Sequence, residues 1–176
     1  MNYSAGHIAN FMLDKGDKEQ RAISPMKLLK LVYMAYGWSL AVLDEKLFDE
    51  TIYAWAHGPV VRSVYDEFKH FGKAPIDCFS TDFNLETFEI TIPRVPASDT
   101  EVNVVLGKVW GVYKHFDAWA LRGITHEAGS PWQSVYRPDA RNIPIPDNLI
   151  KPYFKSKVRQ YLDNADGTGS VRSARN

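Results

Sequence analysis

The stretch "SPMKLLKLVYMAYGWSLAV", residues 24–42, decides the fold of this chain. Ser24 can cap a helix through its hydroxyl oxygen, and Pro25 at the first helical position has a suitable fixed φ and no N–H to leave unpaired. Beyond Lys30 the stretch has almost no polar side chain on any face of the helix that it would form. A helix that is apolar all round is buried. We therefore expect this helix at the centre of the molecule.

Length, charge and cysteine content narrow the class of protein. The chain has 176 residues, 45% of them hydrophobic, which suits one globular domain with a real core. Lys plus Arg and Asp plus Glu number 21 each, so the whole chain has no electrostatic attraction to nucleic acid or membrane. A single cysteine, Cys78, excludes a disulfide within the chain and a thiolate metal cage. With no signal-peptide pattern at the start and no apolar run of bilayer length, we expect a cytoplasmic protein.

Hydrophobic periodicity predicts the remaining elements. Further helices are expected at residues 4–14, 59–72, 100–116 and 117–123 and from Pro152 to Leu162, and strands at 51–57 and 88–92 that pair with each other. Gly16 is expected to end the first helix, while Gly107 and Gly111 mark a helix face that another backbone could approach. The prediction is a mainly α fold, a single compact helical domain with a small two-stranded β element. That domain covers residues 1–162, and a Gly/Ser-rich flexible tail covers 163–176.

The segment "YAWAHGPVV", residues 53–61, reads as a corner between a strand and a helix. Alternate residues before Gly58 point to opposite faces, which is the strand period. Gly58 and Pro59 are expected to end the strand, and a helix is expected to begin at Pro59. His57 in this corner could be a hydrogen-bonding corner residue, a contact for a partner or a catalyst, and these alternatives stay open.

No complete catalytic pattern occurs in the sequence. His126-Glu127 resembles the start of a zincin helix, but Ser130 stands where the second His is needed and Pro131 would break the helix. There is no phosphate-binding glycine loop and no nucleophile elbow. We therefore expect no catalytic residue, cofactor or metal. A metal-dependent enzyme built on His57 and His126-Glu127 is kept as an alternative.

The remaining function classes are nucleic-acid binding and protein binding. The basic residues near the C-terminus lie on a helix that also carries an apolar stripe, so we read them as its solvated face and expect no direct contact with nucleic acid. Several large aromatic residues lie in or beside turns, where they are either corner plugs or anchors for a partner. These residues are Trp55, Tyr65, Trp119, Trp132 and Tyr136.

Four motifs occur in an order that is typical of one known family. They are the Lys/Leu-rich helix Met26-Lys27-Leu28, Lys30-Leu31, Tyr33 and Gly37; the corner Ala54-Trp55 and Gly58-Pro59-Val60 running into Val64-Tyr65 and Phe68; Thr125-His126 with Pro131-Trp132; and Ile145-Pro146 with Tyr153-Phe154. Over roughly residues 4–162 the chain resembles the Panacea, or SocA-like antitoxin, domain. The segment 76–100 is longer and more strand-like than is typical of that family.

The resemblance implies an antitoxin, encoded beside a toxin in one operon and often found in prophages. It implies neutralisation of a cognate toxin by direct contact, and no enzymatic activity. An adaptor or chaperone that delivers the toxin to a AAA+ protease is a second hypothesis. The oligomeric state stays open.

We expect the partner surface at the corner and at the loop "THEAGSPW", residues 125–132. Loops that hold large aromatics and a His on a rigid scaffold are where binding residues concentrate. The expected partner-binding residues are Trp55, His57, Gly58, Pro59, Tyr65, Thr125, His126, Glu127, Pro131 and Trp132.

Overall fold

The computed structural model describes residues 3–170, with side chains described as far as Asp163. In chain order the elements are α1 (Ala5–Lys18), α2 (Pro25–Val42), β1 (Ile52–Trp55), β2 (Gly58–Val61), α3 (Arg62–Phe68) with a 3-10 turn (Lys69–Phe71), β3 (Asp82–Phe83), β4 (Ile90–Thr91), α4 (Thr100–Tyr113), α5 (Ala118–Thr125), α6 (Pro131–Val135), β5 (Ile143–Pro144) and α7 (Asp147–Ser170). The predicted mainly α fold with a small β element is confirmed. None of the described helices is both long and apolar enough to cross a bilayer.

The central helix is confirmed as α2. Its N-terminus is capped as expected, because the Ser24 hydroxyl accepts a hydrogen bond from the backbone N–H of Lys27 at 3.5 Å and Pro25 is the first helical residue. Helices α1, α3, α4, α5 and α7 and strand β2 all pack against α2. Even Lys30 is almost completely buried. The rest of the chain is therefore arranged to cover one apolar helix.

The closest packing in the core is between α2 and α7. A Cβ atom on Gly37 would lie 2.1 Å from a ring carbon of Phe154, so only glycine allows this approach. The Phe154 ring meets the rings of Tyr33 and Trp38 edge-on, each at 5.7 Å between centroids. Gly37 is thus required by space, although glycine inside a helix is costly.

Helix α1 is longer than predicted. Gly16 does not end it, since the helix continues to Lys18. A Cβ on Gly16 would lie 2.7 Å from the side chain of Ile23, so this glycine makes room for the returning chain. The residue with left-handed backbone is Gln20, at φ 53°.

The corner is a β-hairpin, and the prediction that a helix begins at Pro59 was wrong. Strand β1 pairs antiparallel with β2, with Trp55 opposite Gly58, so Ala56 and His57 form a two-residue turn. The chain leaves that turn with Gly58 at φ 104°. Glycine adopts such a positive φ at little cost, so the chain can turn back directly into β2 and Gly-Pro here begins a strand. Helix α3 begins only at Arg62.

The predicted pairing of residues 51–57 with 88–92 was also wrong. The second edge of β1 is taken by β5, which gives a three-stranded antiparallel sheet in the order β2-β1-β5. Strand β4 instead pairs with its neighbour β3 in a separate hairpin. Pairing of neighbours closes a shorter loop and loses less chain entropy.

Helices α4 and α5 each begin after an aspartate that caps the helix. The Asp99 carboxylate accepts the N–H of Val102 at 3.2 Å, and the Asp117 carboxylate accepts the N–H of Ala120 at 2.7 Å. The expectation that a backbone approaches Gly107 and Gly111 was wrong within the described chain. No atom beyond the helix's own neighbouring backbone lies within 4 Å of a Cβ built on either glycine.

Helix α7 begins five residues earlier than predicted, at Asp147. The carbonyl of Pro146 accepts the N–H groups of Leu149 at 3.0 Å and Ile150 at 3.2 Å, so Pro152 lies inside the helix. Pro152 and Asn148 are exposed, and water can reach the carbonyl that loses its partner. The backbone is helical to Ser170, and residues 171–176 lie outside the described residues. The division into a domain and a tail at residue 163 stays a prediction.

We predict opposite effects for two Gly→Ala changes inside helices. Gly37→Ala forces a methyl group into the Phe154 ring and is expected to lower the free energy of unfolding by about 1–3 kcal/mol. Gly111→Ala, on the open face of α4, is the matched control and is expected to raise it by up to ~1 kcal/mol through helix propensity. Urea unfolding followed by circular dichroism measures both. A Gly37→Ala protein as stable as the Gly111→Ala protein would contradict the α2–α7 packing.

Candidate partner-binding site

The two predicted binding segments lie against each other, although about 70 residues separate them in the chain. The indole N–H of Trp132 donates a hydrogen bond to the backbone carbonyl of Trp55 at 2.8 Å. His126 Nε2 lies 3.4 Å from the carbonyl of Ala56, and a guanidinium nitrogen of Arg122 lies 3.5 Å from the same oxygen. The corner and the 125–132 loop therefore form one unit.

Gly58 is where the unit is tightest. Its positive φ favours glycine, and a Cβ there would lie 2.8 Å from the Thr125 hydroxyl and 2.9 Å from Lys30 Nζ. The Lys30 ammonium donates a hydrogen bond to the carbonyl of Pro59 at 3.0 Å. The central helix thus holds the corner through a buried amine.

The environment of Lys30 disfavours its charge. Burial lowers the pKa of Lys30 to about 7, and the nearby positive charge of Arg122 acts in the same direction. The Pro59 carbonyl gives the amine one hydrogen-bond acceptor. Lys30 is therefore a structural amine whose protonation is linked to folding.

The inner part of the 125–132 loop is packed. Thr125, Ser130 and Pro131 are buried and Trp132 is 8% exposed. The Ser130 hydroxyl caps α6 by accepting the N–H of Gln133 at 3.2 Å, and Pro131 takes the first helical position. The Trp132 ring lies between His126, at 3.6 Å between centroids, and a stacked Tyr136 at 4.5 Å. These residues hold the 125–132 loop in place, and their role in partner binding stays a prediction.

The outer part of the corner is accessible and borders an aromatic groove. Trp55 and Tyr65 are half-buried and meet edge-on at 4.8 Å, and the Trp55 indole N–H donates to the Asn142 side-chain oxygen at 3.0 Å. The groove has a volume of about 490 Å³. We call it the Trp55 groove, and its lining includes Trp55, Arg62, Tyr65, Tyr136, Arg141 and Asn142.

Sequence reasoning missed part of this groove. Arg62, Arg141 and Asn142 were not among the expected site residues. The sequence of residues 136–142 shows only the pattern of a polar, proline-containing loop, and that pattern does not indicate which surface the loop covers.

His57 lies at the tip of the corner hairpin and is exposed. Its ring meets the edge of Trp119 at 6.1 Å, and Trp119 is 63% exposed. The Arg122 guanidinium lies 5.6 Å from the Trp119 ring. The tip is therefore an open surface of mixed aromatic and cationic character.

Glu127 ties the loop to the last helix. Its carboxylate accepts a hydrogen bond from Lys157 Nζ at 2.8 Å and one from the Tyr153 hydroxyl at 3.3 Å. The carboxylate raises the pKa of Lys157 because it stabilises the charged amine. The pair is exposed, so it fixes geometry more than it stabilises the fold.

The chemistry of His126 is that of a positioned side chain. Nδ1 lies 2.7 Å from the carbonyl of Arg122 and Nε2 faces the carbonyl of Ala56. Burial lowers the pKa of His126, and the charges of Arg122 and Lys30 lower it further against the opposing effect of the carbonyls. Among residues 3–163, whose side chains are described, no three His, Cys, Asp or Glu side chains meet in an arrangement that could hold a metal ion.

A family model described as antitoxin SocA-like, Panacea domain, matches residues 28–133. The chain belongs to this family. The matched range runs from the start of α2 to α6 and contains the corner and the 125–132 loop. Across 153 residues the chain is 28% identical to Antitoxin SocA of Caulobacter vibrioides (strain NA1000 / CB15N), a match that covers 84% of this chain and 80% of that protein. No solved structure matches the chain.

Truncation of Trp132 is predicted to act on stability. Trp132→Ala removes a buried ring and leaves the Trp55 carbonyl without its donor, so we expect a loss of about 3–5 kcal/mol in the free energy of unfolding. The exposed Trp119 is the control, and Trp119→Ala is expected to change stability by less than about 0.5 kcal/mol. Urea unfolding compares the two variants with the wild type. Equal stability of both variants would contradict the supporting position of Trp132.

The buried amine predicts a pH dependence of stability with a definite sign. Between a folded pKa of about 7 and an unfolded pKa of 10.5 the unfolded chain binds more protons, so the free energy of unfolding rises with pH. From pH 7 to pH 9 we expect a gain of about 1–3 kcal/mol in the wild type. Lys30→Met should lose most of this slope in urea unfolding at the two pH values. The same slope in both proteins would contradict a buried Lys30.

Proposed function

We propose that this protein is a cytoplasmic antitoxin that neutralises a cognate toxin by direct protein–protein contact and is not an enzyme. The toxin is the product of the neighbouring reading frame in the same operon. The observation that carries the proposal is the family match, which includes α2, the corner and the 125–132 loop. The likeness to a protein named Antitoxin SocA supports it.

The geometry suggests how such a contact is built. Trp55 and Tyr65 present large aromatic surfaces beside the groove, and both are held in place by packed neighbours. Aromatic side chains in a fixed position lose little entropy when a partner binds, which makes them effective anchors. Arg62 at the border of the same groove is paired with Asp66 at 3.3 Å, whereas Arg141 there has no carboxylate partner among the described residues and supplies a positive charge. A protein segment with apolar and acidic side chains fits this surface.

The expected site residues then divide into two roles. Trp55, His57, Tyr65 and Glu127 reach the surface and are proposed as contacts. The others are proposed to hold those contacts in place; they are Gly58, Pro59, Thr125, His126, Pro131 and Trp132. His57 can be a residue of the hairpin turn and also contact the partner, so these two interpretations are compatible.

The absence of a catalytic role is part of the proposal. His126 has backbone carbonyls next to both ring nitrogens, so neither is directed at open space. His57 has an aromatic neighbour in Trp119, and no hydrogen bond among the described residues joins its ring to a base or a nucleophile. This supports a binding protein over an enzyme built on the two histidines.

Co-expression with the neighbouring reading frame tests the proposal. The frame alone should stop growth, and this protein should restore it. Arg141→Glu reverses a charge at the groove without removing buried surface, and we expect it to weaken neutralisation and to raise the Kd at least about fivefold. Tyr161→Ala, which truncates an exposed aromatic on α7, is the control and should neutralise like the wild type.

Three results would decide against parts of the proposal. A harmless neighbouring product, or one that stays toxic in the presence of this protein, removes the antitoxin function. A fully active Arg141→Glu protein removes the Trp55 groove from the contact. A toxin lifetime that falls when this protein is present favours the adaptor hypothesis, in which a AAA+ protease is the further partner.

A further inference from the structure

The hairpin of residues 81–92 leaves its large apolar side chains in solvent. Every residue of this segment is exposed, and at the tip Leu85 is 78% and Phe88 77% exposed. Three further apolar residues are exposed in the same segment, namely Phe83, Ile90 and Ile92. Isolated exposed apolar residues are ordinary, but a contiguous group on one projecting element marks an interaction site. We call this segment the acidic hairpin, for the charges described below.

The tip is ordered although it packs on nothing large. The Asn84 side-chain oxygen accepts the N–H groups of Glu86 at 2.8 Å and Thr87 at 3.2 Å, and the Asn84 carbonyl accepts the N–H of Phe88 at 2.8 Å. Among the residues whose side chains are described, the Phe88 ring meets that of Phe83, at 6.1 Å between centroids. The shape of the tip is therefore set by Asn84 and the backbone.

Phe88 has a backbone conformation that is unfavourable for a bulky side chain. Its φ is 57°, a left-handed conformation that Gly and Asn adopt easily and that a bulky side chain adopts at a cost of about 1–2 kcal/mol. Since the ring is exposed, burial within the chain does not offset this cost. Packing within the described chain therefore gives no reason for Phe at this position.

The base of the hairpin is fixed to the core. The side chain of Asn10, which is fully buried on α1, donates to the carbonyls of Ser80 at 2.9 Å and Pro93 at 3.0 Å and accepts the Ser80 N–H at 2.7 Å. The Glu67 carboxylate on α3 accepts the Ser80 hydroxyl at 2.6 Å and the Thr81 N–H at 3.0 Å. One amide thus holds both ends of the segment, so its apolar tip is presented in a fixed place.

The charge of the acidic hairpin indicates which kind of partner it can bind. The acidic hairpin, residues 81–92, contains Asp82, Glu86 and Glu89 and no Lys or Arg, whereas the whole chain is balanced. Two such hairpins repel each other, and so do the hairpin and an anionic membrane or nucleic acid. Strands β3 and β4 form a two-stranded sheet, and the described chain adds no third strand to it. The partner that fits is a protein with an apolar cleft bordered by basic side chains.

We propose that the acidic hairpin is a second docking element for the toxin and inserts Leu85 and Phe88 into a basic-rimmed apolar cleft of that protein. This inference rests on the proposed function and adds a contact to that of the Trp55 groove. Helix α3 connects the two surfaces, because Tyr65 borders the groove and Glu67 holds the hairpin base.

The test uses a variant that removes the apolar tip without disturbing the turn. Asn suits a positive φ, so Leu85→Ser/Phe88→Asn is expected to fold at least as well as the wild type. The probe is the purified product of the neighbouring reading frame. We expect its Kd to rise about tenfold or more with this variant, as for the loss of an anchor residue. Val104→Gln/Val112→Gln, which removes two exposed apolar side chains from α4, is the control and should leave the Kd within about twofold.

A charge reversal tests the nature of the cleft. Glu86→Lys/Glu89→Lys should also raise the Kd, and the wild-type complex should weaken between 50 and 200 mM salt, as expected for screened charges.

Values of Kd for the tip variant within about twofold of the wild type would overturn the inference, while loss of binding in Arg141→Glu would then still support the proposed function. Wild-type protein that neither binds nor neutralises the neighbouring product overturns both. Wild-type self-association that disappears in the tip variant, measured by sedimentation, makes a second copy the occupant and overturns the inference.

Discussion

Helix α2 imposes the constraint on which the rest of the structure depends, because a helix that is apolar on every side must be covered on every side. Helices α1, α3, α4, α5 and α7 and strand β2 supply that cover. At Gly37, helix α7 packs so closely against α2 that the ring of Phe154 occupies the space that a side chain at position 37 would need. At Lys30 the same burial encloses an amine, which donates a hydrogen bond to the Pro59 carbonyl of the corner. Packing of one helix therefore fixes the position of the corner hairpin and, through Thr125 and Trp132, of the 125–132 loop.

In this arrangement the residues that hold the corner and the loop together differ from those that lie at the surface. The buried members of the corner and the loop make the hydrogen bonds and ring contacts that hold the unit together, while Trp55, Tyr65 and His57 remain at its surface. The acidic hairpin follows the same pattern, with buried Asn10 at its base and exposed Phe88 at its tip. Such preorganised surfaces bind without first having to order flexible groups.

Much of the fold could be predicted from the sequence, and the parts that could not have physical reasons. The cap at Ser24 and the apolar character of residues 24–42 are local signals, and they predicted the central helix correctly. Gly58-Pro59 is equally compatible with a helix start and with a hairpin turn, and only the pairing of β1 with β2 decides between them. Likewise residues 88–92 have strand periodicity, but periodicity does not choose the partner strand. For the site, the sequence pointed to the corner and to the 125–132 loop as separate segments, whereas their contact, the burial of Trp132 and the loop that completes the groove depend on tertiary packing.

Hydrogen–deuterium exchange of the complex with the neighbouring gene product tests the central claim most directly, namely that a rigid core presents the Trp55 groove and the acidic hairpin to a toxin. Backbone amides in exposed segments exchange quickly, and a bound partner slows them. The account predicts slower exchange in residues 81–92 and 136–142 on binding, with little change in α2, which is already protected in the free protein. Slower exchange confined to the outward face of α4, or no change in either segment while the complex forms, would contradict it.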